Sequence, residues 1–153
     1  YPELSSAINK LIDELTRQKI CLVHGDFSPK NMLVQKNGEI VLIDFEVAHW
    51  GNPVFDLAYC LGHLILKAWH LKKYEEVSGL IRVFLANYSG EVNNLLPHLG
   101  LMLLARMDGK SPVNYIQDEG LKQVIRMVAI DWIKNAPRNA DIMENIRKQF
   151  IYS

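Results

Sequence analysis

The chain of 153 residues has two cysteines, Cys21 and Cys60, and no CxxC pair or Cys/His cluster. That scarcity excludes a disulfide-stapled scaffold and a cysteine-built zinc site, and it reads as two buried thiols in a reducing compartment. It has no net charge, with 17 basic against 17 acidic residues. No basic field therefore marks a nucleic-acid or anionic-membrane partner, and the tight pair Lys72–Lys73 reads as a solvated helix start. No apolar run approaches the roughly 18 residues of a membrane span, and no signal peptide is present, so cytoplasmic placement is the default expectation. Also lacking are internal repeats, low-complexity tracts and a glycine-rich phosphate loop. The sequence opens Tyr1-Pro2-Glu3 without an initiator Met, as a piece cut from a longer polypeptide would.

What is present is an ordinary globular composition, 49% apolar and 22% charged, sized for one domain with its own core. Leu4, Ile8, Leu11, Ile12 and Leu15 recur at helical spacing and predict a helix over 3–19. The period then changes. Ile20-Cys21-Leu22-Val23 reads as a short buried strand, followed by a turn-rich polar stretch over 24–30. Met32-Leu33-Val34 and Ile40-Val41-Leu42-Ile43 flank Asn37-Gly38, a strong hairpin signal. Helices are predicted over 55–65, 73–88, 92–106 (with Pro97 delaying its start), 113–134 and 139–151, the last two separated by Pro137. Trp69 and Trp132 read as core or boundary residues. The fold class is α+β, a small β-hairpin set into a mostly helical body.

The hairpin carries a geometric expectation. With Asn37 and Gly38 as the central residues of a type I′ turn, Asn31 and Asp44 face each other at its open end, Cα atoms roughly 4.5–5.5 Å apart. Two such oxygen-bearing side chains can share one hard cation, because magnesium takes a few protein oxygens and keeps water and phosphate for the rest. Asp26 enters the same end on the preceding loop. A further carboxylate there suits a base that orients a hydroxyl and receives its proton.

His24-Gly25-Asp26-Phe27-Ser28-Pro29-Lys30-Asn31 has the Asp-x-x-x-x-Asn spacing of a kinase catalytic loop, and Ile43-Asp44-Phe45-Glu46 resembles the metal-binding Asp-Phe-Gly segment with Glu for Gly. Together with Gly51-Asn52-Pro53-Val54-Phe55-Asp56-Leu57-Ala58, these motifs resemble the aminoglycoside phosphotransferase and choline kinase-like superfamily. The resemblance runs through residues 20–60 and fades beyond. It implies the mostly helical C-terminal lobe of a protein kinase-like fold, with ATP as phosphoryl donor and magnesium as cofactor. Asp26 would be the catalytic base, Asn31 and Asp44 the magnesium ligands, and His24 a support of the loop. Asp56 would cap the loop's backbone amides, and Leu33 and Ile43 would form the adenine floor, although strand alternation in the expected register puts those two on opposite faces. Asn52 and Lys30 depart from the residues frequent at their positions in that family.

Plainer readings stand beside these. Asp26 alone could cap a turn and Asn31 alone could finish a strand; it is their joint register with Asp44 that points to chemistry. His49 and Trp50 suit either the site or packing, and His63, His70 and His98 read as packing or surface histidines. The polar segment Arg106-Met107-Asp108-Gly109-Lys110-Ser111-Pro112 is either a solvated connection or an acceptor-binding loop. In the second case Arg106 or Lys110 would hold an acidic group and Asp108 an amine or hydroxyl.

A kinase of this type also needs a strand-borne Lys, its Glu partner and a loop over the phosphates, none of which these residues contain. The expectation is one domain over 1–153, the catalytic-loop lobe of a small-molecule kinase, inactive without an N-terminal ATP-binding lobe and prone to self-associate around Leu33, Ile43 and Phe45. The acceptor would be a small alcohol: an aminoglycoside, choline-like amine, sugar or hydroxylated amino acid. A noncatalytic scaffold module derived from such a lobe is the alternative. A metal-dependent hydrolase is a weaker one, lacking the extra ligands of a two-metal site.

Overall fold

The computed structural model describes residues 1–136 and 141–151. A short 3₁₀ turn, Pro2–Leu4, leads into helix α1, Ser5–Arg17, which ends where Gln18 turns extended. Strands β1 (Cys21–Val23), β2 (Met32–Val34), β3 (Ile40–Leu42) and β4 (His49–Gly51) follow, then helices α2 (Val54–Leu71), α3 (Tyr74–Asn87), α4 (Leu95–Asp108), α5 (Glu119–Asn135) and α6 (Ile142–Ile151). The class is α+β and mostly helical. The strands form two separate antiparallel pairs, β1 with β4 and β2 with β3. The β1–β4 pair goes beyond the expectation, because His49-Trp50-Gly51 offers neither an apolar run nor an alternation.

Helix ends follow local chemistry. Asn52 Oδ1 accepts the Val54 amide at 3.0 Å and so opens α2, and Lys72, left-handed at φ 55°, closes it. Pro97 falls in the first turn of α4, where its missing N–H had no intrahelical acceptor to lose. The helix expected from 113 begins instead at Glu119, with Asp118 Oδ1 accepting the Leu121 amide at 2.7 Å. Val113 and Ile116 mimic helical spacing, but they are buried from a connecting segment whose Val113 amide bonds the Arg106 carbonyl. The start expected at 139, and Pro137, lie outside the described residues.

The core forms where α4 packs on α5 and α2, with α1 closing one side. Trp69 and Trp132 are buried there among Leu61, Ile65, Leu99 and Leu103. This body is the platform on which the two strand pairs sit.

The hairpin register differs from expectation by one residue. Met32 pairs with Leu42, Leu33 with Val41 and Val34 with Ile40. The Gln35 and Glu39 backbones close a three-residue loop in which Gly38 takes φ +86°. This is a turn followed by a left-handed bulge residue, not the two-residue type I′ turn, so the Asn37-Gly38 signal located the hairpin but misplaced its phase. Asn31 therefore lies opposite Ile43, whose amide donates to the Asn31 carbonyl at 3.0 Å, and the direct Asn31–Asp44 pairing is corrected. The same shift places Leu33, Val41 and Ile43 on one face of the hairpin, replacing the opposite-face expectation for Leu33 and Ile43.

Candidate active site

The loop between β1 and β2 is fixed from below by α2. Asp56, in the first turn of that helix, accepts the His24 amide on Oδ2 at 2.6 Å and the Gly25 amide on Oδ1 at 3.0 Å. Two charge-assisted bonds from one carboxylate hold the chain at the point where it leaves β1. Gly25 sits at φ +82°, and a Cβ there would lie 2.6 Å from the Val47 carbonyl oxygen, so conformation and space both require glycine.

His24 is buried and bonded at both ring nitrogens. Nδ1 accepts the Asp26 amide at 3.3 Å, and Nε2 donates to the Ile43 carbonyl at 2.9 Å. With Nδ1 accepting, the ring is the neutral Nε2–H tautomer. The Phe45 ring packs 4.5 Å from it. His24 thus couples the loop to the strand end from which Asp44 departs.

Asp26 and Asn31 meet directly. Asn31 Nδ2 donates to the Asp26 carbonyl at 2.9 Å and to Asp26 Oδ2 at 3.0 Å. Both amide hydrogens are thereby committed, and Oδ1 has no protein donor among the described residues. Lys30 Nζ reaches the same Asp26 Oδ2 at 2.8 Å. Asp26 Oδ1 is buried and has no partner at hydrogen-bonding distance, although the Tyr59 hydroxyl, in the same cleft lining, interacts with the carboxyl. An unmet buried acceptor costs about 1–3 kcal/mol, and such costs concentrate at sites. Burial opposes ionisation of Asp26, yet interactions with Lys30, Tyr59 and Asn31 outweigh it and hold the carboxyl below its usual range. Burial first, then the Asp26 carboxylate, push the Tyr59 hydroxyl up to about 12.

Asp44 is exposed and left-handed at φ 68°, a rare conformation for a residue with a Cβ. A cleft of about 220 Å³ is lined by Gly25, Asp26, Asp44, Glu46, Val47 and Tyr59, so Asp26 and Asp44 open onto one space although the hairpin register does not pair Asp44 with Asn31. The side-chain donors lining it are the carboxylates of Asp26, Asp44 and Glu46, the hard oxygen chemistry that magnesium takes in small number, and Asn31 is not among the lining residues. Among the described residues, no group of three His, Cys, Asp or Glu side chains is positioned to hold a metal by itself.

The other candidates separate. Leu33 and Ile43 are 50% and 38% exposed on the shared hairpin face. Arg106 lowers the Tyr59 hydroxyl slightly against burial and the Asp26 carboxylate, but is not among the cleft's lining residues. Asp108 does not join it: Arg126 Nε and Nη2 donate to its carboxylate at 2.8–3.1 Å, and the Tyr1 hydroxyl donates at 2.6 Å. That carboxylate is taken up in bracing α4 against α5, which corrects its assignment as an acceptor ligand. Lys110 is exposed on the loop after α4. Two residues of this neighbourhood escape sequence reasoning. Tyr59 lies three residues after Asp56, one turn along the same helix face, which is the signal that could have found it. Lys30 reads from the sequence only as an unusual occupant of its position.

The loop carrying Asp26, the left-handed Asp44 after the hairpin and the Asp56 carboxylate beneath the loop make up this candidate site. A family model described as the phosphotransferase enzyme family matches residues 2–88, more than half of the chain, and the chain belongs to that family. It is also similar to mitogen-activated protein kinase kinase 10 of Arabidopsis thaliana, 42% identical over 45 residues, which are 29% of this chain and 15% of that protein. The matched part thus spans a small share of the length of that curated relative. No solved structure matches the chain.

Proposed function

We propose that these residues form the catalytic-loop lobe of a small-molecule kinase that transfers the γ-phosphoryl group of ATP to an alcohol. The observation that carries this reading is Asp26, whose Oδ2 is held by Asn31 and Lys30 while its buried Oδ1 is unspent, in a cleft shared with Asp44. The acceptor hydroxyl would donate to Asp26 as its oxygen bonds to the γ-phosphorus and the bridging oxygen departs with ADP. A carboxylate held below its usual range is a weak base. It suits a loose transition state, in which orienting the hydroxyl matters more than early proton removal.

Asn31 Oδ1 and the Asp44 carboxylate would hold magnesium, which when bound neutralises charge on the transferring phosphates. The Lys30 side chain is 65% exposed, and its ammonium could leave Asp26 for a phosphoryl oxygen. Leu33, Val41 and Ile43 offer an apolar face of the kind a purine ring covers. Val34 and Ile40 are exposed on the opposite face of the hairpin, Phe45 after it, and Ile20, Leu22 and Trp50 on or beside the β1–β4 pair. Exposed apolar surface on that scale favours cover by a second lobe, or self-association where none is present.

The test is transfer by the full-length protein from magnesium-ATP to a panel of amino, sugar and acidic alcohols, followed by phosphorus NMR. A new phosphate monoester supports the reading. Release of inorganic phosphate alone favours a hydrolase, and no consumption of ATP with any acceptor favours a noncatalytic scaffold.

A further inference from the structure

Beside the cleft runs a row of polar side chains that the proposed transfer does not use. Tyr59, His63 and Lys67 recur every four residues along α2 and so share one stripe of that helix. The Tyr59 and His63 rings lie 4.9 Å apart, and Lys67 Nζ sits 3.7 Å from the centre of the Tyr115 ring. Tyr59 lines the cleft with Asp26, while Tyr115 lines a separate groove between α2 and the start of α5. Arg106 lies in the last turn of α4, the helix packed on α2, with its Nε buried, and its charge is felt by Tyr59, His63 and Tyr115 alike.

Three atoms of the row are buried without a hydrogen-bond partner: His63 Nε2, Arg106 Nε and the Tyr115 hydroxyl. Among the described residues neither Arg106 nor Lys67 has a carboxylate partner. Arg126 on the neighbouring helix shows the contrast, since its guanidinium is taken bidentately by Asp108. Buried donors of this kind are costly when unpaired, and an oxyanion is the ligand that satisfies several of them at once. Burial, with Arg106 next, lowers His63 to about 4, so at neutral pH its ring is uncharged and can turn a donor toward an anion.

We propose that this row is the acceptor subsite and that the acceptor alcohol carries an oxyacid group, a carboxylate or a phosphate, seated on Arg106 and Lys67 with its hydroxyl directed to Asp26. The inference rests on the reading of Asp26 as the acceptor's base and narrows the acceptor class. A choline-like or polyamine acceptor would instead bring a cation against two unneutralised cations, a like-charge contact. Eight residues along a helix rise about 12 Å, so the row from Tyr59 past His63 to Lys67 has the length of a small molecule and not of a polymer.

The test uses the full-length protein with isotope-labelled histidine, free of ATP and divalent metal and held at constant ionic strength. It is titrated separately with glycolate, inorganic phosphate and choline. The expected result is a saturable movement of the His63 ring resonances with glycolate or phosphate and none with choline. The oxyanion that saturates at lower concentration identifies the group as carboxylate or phosphate. Arg106→Met and Lys67→Met should each weaken that binding roughly tenfold, the scale of one charge-assisted hydrogen bond, whereas Lys36→Met in the hairpin turn should not. Lys67 is exposed, so its variant keeps the test available should Arg106→Met fail to fold. Saturable binding of choline at His63, no saturable response to either oxyanion, or equal weakening by Lys36→Met would overturn the proposal. Because no ATP is present, failure here leaves the phosphoryl-transfer reading standing, and failure of transfer leaves this result standing.

Discussion

His24 Nε2 lies 2.9 Å from the carbonyl oxygen of Ile43, and that contact ties the loop bearing Asp26 to the strand end bearing Asp44. His24→Ala leaves a carbonyl and the Asp26 amide without partners. It should cost about 1–3 kcal/mol in urea denaturation. It should also lower turnover of the full-length protein more than it weakens nucleotide binding, because it loosens the geometry of both aspartates. Unchanged turnover would remove His24 from the positioning frame.

Two glycines share positive φ but not surroundings. Gly38, at φ +86°, has nothing within 4 Å of the place a Cβ would occupy, whereas the Cβ of a residue at Gly25 would meet the Val47 carbonyl oxygen at 2.6 Å. Gly38→Ala should therefore cost only the left-handed strain, about 1–2 kcal/mol. Gly25→Ala should cost distinctly more and disturb the loop, visible as a larger melting shift. Equal costs would mean that the Val47 backbone yields freely.

Much of this arrangement is legible from residue types, and the gaps have physical causes. The helices announce themselves by apolar spacing, and Asn37-Gly38 marks the hairpin. Its phase is not legible, because the same dipeptide serves a two-residue turn and a three-residue loop with Gly38 as the bulge. Strand β4 escapes because three exposed or tightly placed residues carry no periodic signal. Asp108 looks available in a polar loop until α5 brings Arg126 to it. His63 reads as a packing residue, since only the fold brings α4, which carries Arg106, against α2.

Lys30 contacts the carboxyl of Asp26, which is held below its usual range. A lowered pKa means that Asp26 ionisation contributes stability above the unfolded value of about 3.9, lost as pH falls through the folded value. Lys30→Met should move the Asp26 titration upward, and with it the acid limb of kcat/KM. Carbon NMR of the Asp26 carboxyl checks this; an unmoved titration would show that Lys30 does not control it.

His63 gives the complementary dependence. Its ring falls to about 4 through burial, then Arg106, against about 6.5 in an unfolded chain. Stability should be fully present above about 6.5 and decline as pH falls toward about 4, since the unfolded chain binds the proton first. His63→Gln should flatten that part of the curve in denaturant titrations across pH. A slope unaltered by the substitution would assign it to other groups.

The most direct measurement separates binding from turnover in the full-length protein, with wild type, Asp26→Asn and Asp44→Asn compared side by side for magnesium-ATP affinity and phosphoryl transfer. The account predicts that Asp26→Asn binds magnesium-ATP nearly as wild type but transfers about 10²–10⁴-fold more slowly, while Asp44→Asn loses both. Wild-type transfer by Asp26→Asn would contradict it.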